Sequence, residues 1–168
     1  MDARDASRDT RTVSNDGSVA APTVRRLTRG DEQHAHEMFA VMAAAFDETA
    51  EPLSDAYVET LLATDSFWAI AAFDGGRVVG GLTAHTIPMT RSQSAELFIY
   101  DLAVHEDVRR RGVGARLVAA LRAYAADAGI SEVFVPADDD DAHALEFYRA
   151  QAGRESRVRF FSWDAEGD

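Results

Sequence analysis

Residues 95–117 read AELFIYDLAVHEDVRRRGVGARL, and no other stretch restricts the fold as much. AELFIYDLAV is the longest apolar run, the pattern of a strand buried in a sheet, yet an aspartate, Asp101, interrupts it. Beyond the end of the run at Val104, after four intervening residues, come three arginines and Gly-x-Gly, then an alanine-rich run with Leu117, Leu121 and Tyr124 on one helical face and Gly129 at its end. A strand, a short glycine loop and a helix in that order place backbone N–H groups and the positive end of a helix together, which is the geometry for holding phosphate. Arginines beside it add fork-shaped donors. Two well-known nucleotide patterns are absent, because no Gly-Lys-Ser/Thr follows and position 117, where a third glycine would stand, is Leu.

The rest of the pattern reads as mixed α/β in the order β-α-α-β-β-β-α-β-α-β, without internal repeats. TVRRLT (23–28) has strand character, DEQHAHEMFAVMAAAF (31–46) helical spacing, and 47–52 an acidic loop. SDAYVETLLAT (54–64) restarts a helix at a Ser cap, and FWAIAAF (67–73) and RVVGGLTAHTI (77–87) flank Asp74-Gly75-Gly76, a hairpin signal. After the glycine loop come a strand EVFVPA (132–137), a helix DAHALEFYRAQAG (141–153) and a closing strand SRVRFFSW (156–163). The 168 residues, 46% hydrophobic, suit one domain from 23 to 168 behind a polar lead-in over 1–22 that is expected to be disordered.

Charge narrows the function. The formal net charge is −12, and between Asp31 and Gly76 ten acids occur with no Lys or Arg; a second acidic block is Asp138 to Asp141. Such a field disfavours nucleic acid and anionic membrane and attracts cations. No cysteine is present and the five histidines are scattered, so a metal site is not expected. The lack of a signal peptide or a long apolar span leaves a cytoplasmic protein as the expectation.

Arg109-x-x-Gly112-x-Gly114 after a DLAV strand resembles the pyrophosphate loop of the GNAT superfamily of acyl-coenzyme A N-acyltransferases. The resemblance implies acetyl-CoA as cosubstrate, with Leu102, Ala103 and Val104 pairing with pantetheine. Arg109, Arg110, Arg111, Gly112, Val113, Gly114 and Ala115 would wrap the pyrophosphate, and Tyr148 would stand near the sulfur. It also implies a bulge in the central strand. IYDLAVHEDVRRRGVGARL, VPADDDDAHALEFY and FWAIAAFDGGRVVGGLTAH look, more narrowly, like type I aminoglycoside 3-N-acetyltransferases, in a family where homodimers are common. Ala142-His143 departs from the Asp-Pro usual there.

That narrower resemblance implies direct transfer of acetyl to the 3-amino group of an aminoglycoside, and hence antibiotic resistance. A polycationic acceptor calls for carboxylates, for which Glu96, Asp101, Asp138, Asp139 and Asp141 are candidates. The amine must lose a proton, to Asp101 or Glu96, and Tyr148 would protonate or hydrogen-bond the leaving sulfur. Glu96 and Asp101 lie five apart, so in a regular strand they face opposite ways; a bulge between them would put them on one face. A GNAT enzyme for another polyamine or a protein amine, or a non-catalytic acetyl-CoA-binding module, remains the alternative.

Overall fold

The computed structural model describes residues 21–46 and 51–165. Residues 1–20 of the expected tail over 1–22 and most of the acidic loop at 47–52 lie outside these. Five strands form one sheet in the order β1-β2-β3-β4-β5: β1 (Thr23–Leu27), β2 (Phe67–Asp74), β3 (Arg77–Pro88), β4 (Ala95–Val104) and β5 (Glu132–Phe134). The first four are mutually antiparallel and β5 joins β4 in parallel, reached through helix α3 (Val113–Asp127). A parallel neighbour needs such a crossover, whereas β2 and β3 need two residues. Gly75 and Gly76 supply them at φ 59° and 88°, left-handed values that suit glycine and make the tight hairpin the sequence signalled.

The sheet separates two apolar layers. On one face Trp68, Ile70, Leu82, Leu97 and Ile99 pack against Val113, Leu117 and Leu121 of α3, with Phe147 of α4 (Ala142–Ala150). On the other, Ala69, Ala71, Phe73 and Ala103 meet Met38 and Met42 of α1 (Glu32–Ala45) and Val58 of α2 (Asp55–Ala63). Gly81 lets α1 lie this close, since a Cβ there would collide with the Met38 side chain. Gly80 does the same for β4, where a Cβ would stand 2.9 Å from the Ala103 carbonyl.

The α1 start is fastened electrostatically. Arg25 donates two hydrogen bonds to Asp31, at 2.8 and 2.9 Å, and the Thr28 N–H donates to the same carboxylate. Those bonds draw the Asp31 carboxyl down to about 2, Arg25 being the larger cause.

The elements of the sequence reading therefore form, with one exception. The closing strand expected at 156–163 is absent: after α4 the chain is extended but enters no ladder, and Val158, Phe160, Phe161 and Trp163 are 69–86% exposed. Alternation and aromatic content make a segment able to pair, but pairing requires a neighbouring edge within reach. β5 is also shorter than expected, ending at Phe134 where 132–137 was read as strand. Val135 and Pro136 follow, and proline cannot donate to a ladder.

Candidate active site

β4 sets the geometry of the site through an irregularity. Against β3, Asp101 pairs with Thr83 and Ile99 with Ala84, so Tyr100 is an extra residue on β4. This is a β-bulge, and it shifts the alternation by one. Leu97 and Ile99 thus point to the α3 side, and so do Leu102 and Val104, while Ala103 packs on the α1 side. Glu96, Phe98 and Asp101 consequently share the α1 face of β4. Sharing a face does not make them neighbours: at about 3.3 Å per residue their backbones stand roughly 15 Å apart along the strand.

The bulge coincides with an opening. β4 and β5 pair at three positions, Glu96 with Glu132, Leu97 with Val133 and Phe98 with Phe134. From Ile99 to Val104 the β5 side of β4 has no strand partner among the described residues. Leu102, Ala103 and Val104 therefore present main-chain donors and acceptors into a wedge, which suits an extended, amide-bearing ligand.

The wedge leads to the glycine loop. A short 3₁₀ turn (Glu106–Val108) leads from β4 into it, and α3 then begins at Val113 with Gly112 as its cap residue at φ 78°. No side chain caps the helix, whose first internal bond runs from the Arg116 N–H to the Gly112 carbonyl. The N–H groups of Val113, Gly114 and Ala115 are left for an external acceptor, at the positive end of a 15-residue helix. Arg110 also has positive φ, 63°, an uncommon conformation for a residue with a Cβ. The arginines divide their work: Arg109 donates to the Val104 carbonyl at 3.1 Å, and Arg111 pairs with Asp74 of the β2–β3 hairpin at 3.2 Å. Gly114 serves packing, because a Cβ there would stand 3.1 Å from the Phe147 ring of α4.

That contact sets Phe147 of α4 beside Leu102, and Tyr148 meets the Phe147 ring edge-on with centroids 5.1 Å apart. Burial pushes the Tyr148 phenol above its ordinary 10, and the Asp141 charge adds to this. It stays protonated at neutral pH and can donate a hydrogen bond. Asp141 itself caps α4, accepting from the Ala144 N–H at 2.9 Å, while Asp138 and Asp139 are exposed on the β5–α4 loop. The acidic stretch therefore includes one carboxylate committed to the helix.

On the α1 face a row of rings crosses three strands. His85 meets Tyr100 (centroids 5.8 Å), Tyr100 meets Phe98 (5.9 Å), and Phe98 meets Phe134 of β5 (5.4 Å). Asp101 borders this row, with the Thr83 hydroxyl donating to it at 3.5 Å, and Glu96 stands in register with Glu132 at its far end. Aromatic floors edged by carboxylates suit cationic, ring-bearing ligands. His85, Phe98, Glu132 and Phe134 escaped the sequence reading. Their significance comes from cross-strand register, and periodicity along one strand carries no trace of it.

A wedged, bulged strand followed by an anion-holding helix start, with a cation-attracting face behind it, defines an acyl-coenzyme A-dependent N-acyltransferase architecture. The chain belongs to the acetyltransferase (GNAT) family, whose sequence pattern it matches over residues 30–153. It is 28% identical to an aminoglycoside acetyltransferase from an uncultured soil metagenomic sample, solved in complex with sisomicin. That match has a TM-score of 0.83 and covers 86% of this chain and 97% of the other. A second aminoglycoside acetyltransferase from an uncultured soil metagenomic sample is 29% identical, with a TM-score of 0.82, covering 88% and 100%. A mycothiol acetyltransferase of Clavibacter michiganensis subsp. michiganensis (strain NCPPB 382) is 32% identical over 137 residues, 82% of this chain. The present chain spans 36% of that relative's length.

Proposed function

We propose that this acetyltransferase moves the acetyl group of acetyl-CoA onto the 3-amino group of an aminoglycoside, in one direct step, and so confers resistance to such drugs. The observation that carries the reading is the bulge at Tyr100, which sets Asp101 on the aromatic, acid-edged face while Leu102 to Val104 line the wedge behind it. Structural similarity to two aminoglycoside acetyltransferases supports the same acceptor class.

The residues fit coenzyme A: the main chain of 102–104 would receive the pantetheine amides, and the bare N–H groups at 113–115 the pyrophosphate. Arg110, the arginine of the loop without an internal side-chain partner among the described residues, adds charge there. The cosubstrate supplies an activated acetyl thioester. The protein's part is to remove a proton from the acceptor ammonium and to offer one to the departing sulfur. Asp101, adjacent to the wedge, is the proton acceptor; Glu96, about 15 Å along the strand, holds a second amine of the polycation. Tyr148, kept protonated by burial, is the donor. Asp138 and Asp139 draw the acceptor in from solution, whereas Asp141 serves α4.

Free-thiol release from acetyl-CoA, measured across aminoglycosides, polyamines, lysine peptides and a mycothiol-type amine, tests this. Turnover confined to aminoglycosides with a free 3-amino group is expected. The mycothiol acetyltransferase relative favours a second reading, in which the mycothiol-type amine alone is acetylated.

A further inference from the structure

One histidine differs from the rest in what surrounds it. His34, His36 and His105 each stand beside a carboxylate, at 3.8, 3.0 and 3.4 Å, and His143 is exposed on α4. His85 is half-buried on β3, and among the described residues neither of its ring nitrogens has a hydrogen bond or an ion pair. Its contacts are rings: Phe67 of β2 at 5.4 Å and Tyr100 of β4 at 5.8 Å between centroids. Apolar edges thus hold an imidazole in place while leaving both nitrogens open to proton chemistry.

Cross-strand register sets this ring beside Asp101. Leu82 and Ala84 pack on the α3 side, so Thr83 and His85 point to the α1 side, which Asp101 also takes after the bulge. Thr83 pairs with Asp101 and donates its hydroxyl to that carboxylate at 3.5 Å. His85, two residues further along β3, is the diagonal neighbour of Asp101 on the same face, and such neighbours stand about 7–8 Å apart. One water closes a gap of that size between a carboxylate and an imidazole. Glu96, opposite Ile87, is the diagonal neighbour on the other side. The titratable groups facing His85 are therefore Tyr100, Asp101 and Glu96, all from β4. β2 brings the Phe67 ring, and among the described residues no charged side chain of α1 or α2 bonds to it. Tyr100, 63% exposed, keeps this part of the face open to solvent.

We propose that His85 is the relay that takes the proton from Asp101 and returns it to solvent during acetyl transfer, an inference that rests on the reading of Asp101 as proton acceptor. The ammonium gives one N–H proton to Asp101, and the freed nitrogen forms its bond to the acetyl carbon. As the C–S bond breaks, Tyr148 gives the sulfur its proton, and the second proton that the nitrogen loses on becoming an amide restores Tyr148. The first proton is left on Asp101, whose carboxylate must be ionised again before the next turnover. Through one water it passes to a ring nitrogen of neutral His85, and the imidazolium releases it to the medium. An ammonium and a thioester thus yield an amide, a thiol and one free proton. A proton carrier works best when it both accepts and releases near the operating pH, which is the chemistry of imidazole. His85 acts through Asp101 without touching the reacting nitrogen.

His85→Phe keeps the row of rings and removes the relay; His85→Gln keeps a polar side chain that carries no proton. Turnover of both is measured at fixed pH and ionic strength while the concentration of an imidazole buffer is varied. In dilute buffer kcat should fall about a hundredfold, with KM for the amine, coenzyme A affinity and circular dichroism as in the native protein. Added buffer should restore kcat in both variants and leave the native rate unchanged, because a mobile base then collects the proton from Asp101. In an Asp101→Asn background, His85→Phe should cause no further loss and buffer should rescue nothing. A native kcat in dilute buffer for His85→Phe, or a loss that buffer does not mend in either variant, overturns the relay. The assay uses whichever amine the native chain acetylates, so failure with aminoglycosides counts against the proposed substrate alone. A native kcat for Asp101→Asn removes the proton acceptor and the relay with it.

Discussion

Asp101 interrupts the longest apolar run of the chain, and the sequence alone marked it as a carboxylate that needs a partner, since an acid inside an apolar strand costs free energy unless something pairs with it. What the sequence could not decide was how Asp101 relates to Glu96. Both lie on one face, yet too far apart to act on one proton, so the two substitutions should differ. Asp101→Asn is expected to lower kcat by about 10²–10⁴-fold with coenzyme A affinity unchanged. Glu96→Gln should mainly raise KM for the aminoglycoside. Steady-state kinetics with calorimetric coenzyme A binding separates these outcomes. Tyr148→Phe should lower kcat about a hundredfold, at the weak end of proton-transfer contributions. It should leave the pH profile below pH 9 intact, because the phenol titrates above 10. Asp31 illustrates a residue whose role is purely structural. Its folded carboxyl sits near 2 against 3.8 when free, so its contribution is complete above about pH 4 and fades as pH falls toward 2. Asp31→Asn should cost ~1–2 kcal/mol at pH 7, allowing for the partial exposure of Arg25. In urea titrations this deficit should shrink as pH falls below 4.

At the scale of elements, most of the fold was legible because the signals are local. The Gly75-Gly76 turn, the Ser54 cap and the apolar period of α3 each act within a few residues. The bulge was an expectation of the family resemblance, and Glu96 and Asp101, five apart, could share a face only through it. The closing strand was misplaced because RVRFFSW carries strand chemistry but no record of which edge it meets. The aromatic row was invisible for the same reason, since it is assembled by register across β3, β4 and β5. The glycines proved unlike one another: Gly112 is required by its φ of 78°, Gly114 by the Phe147 ring. Gly112→Val should therefore distort the helix start and weaken coenzyme A binding at least tenfold, with acceptor affinity preserved. Deleting Tyr100 should regularise β4 without reversing either face, close the wedge, and remove coenzyme A binding from a protein that still melts cooperatively.

Over the whole molecule, the two signs of charge are segregated by task. Arginines gather at the loop before α3, while acids dominate Asp31 to Gly76 and Asp138 to Asp141. Such a field concentrates a polycation near its site. Salt should accordingly raise KM for an aminoglycoside several-fold between low and physiological ionic strength, with kcat little altered. The GNAT fold fixes the donor side of the reaction, as family membership over residues 30–153 requires. The proposed reading puts the acceptor on the face of β3, β4 and β5, and there lies the central claim. The most direct measurement is to incubate the protein with acetyl-CoA and sisomicin, follow thiol release, and locate the new acetyl group by NMR. One thiol released per drug acetylated at the 3-amino nitrogen is the predicted result. Thiol release with a mycothiol-type amine or a lysine peptide, and none with any aminoglycoside, would contradict it.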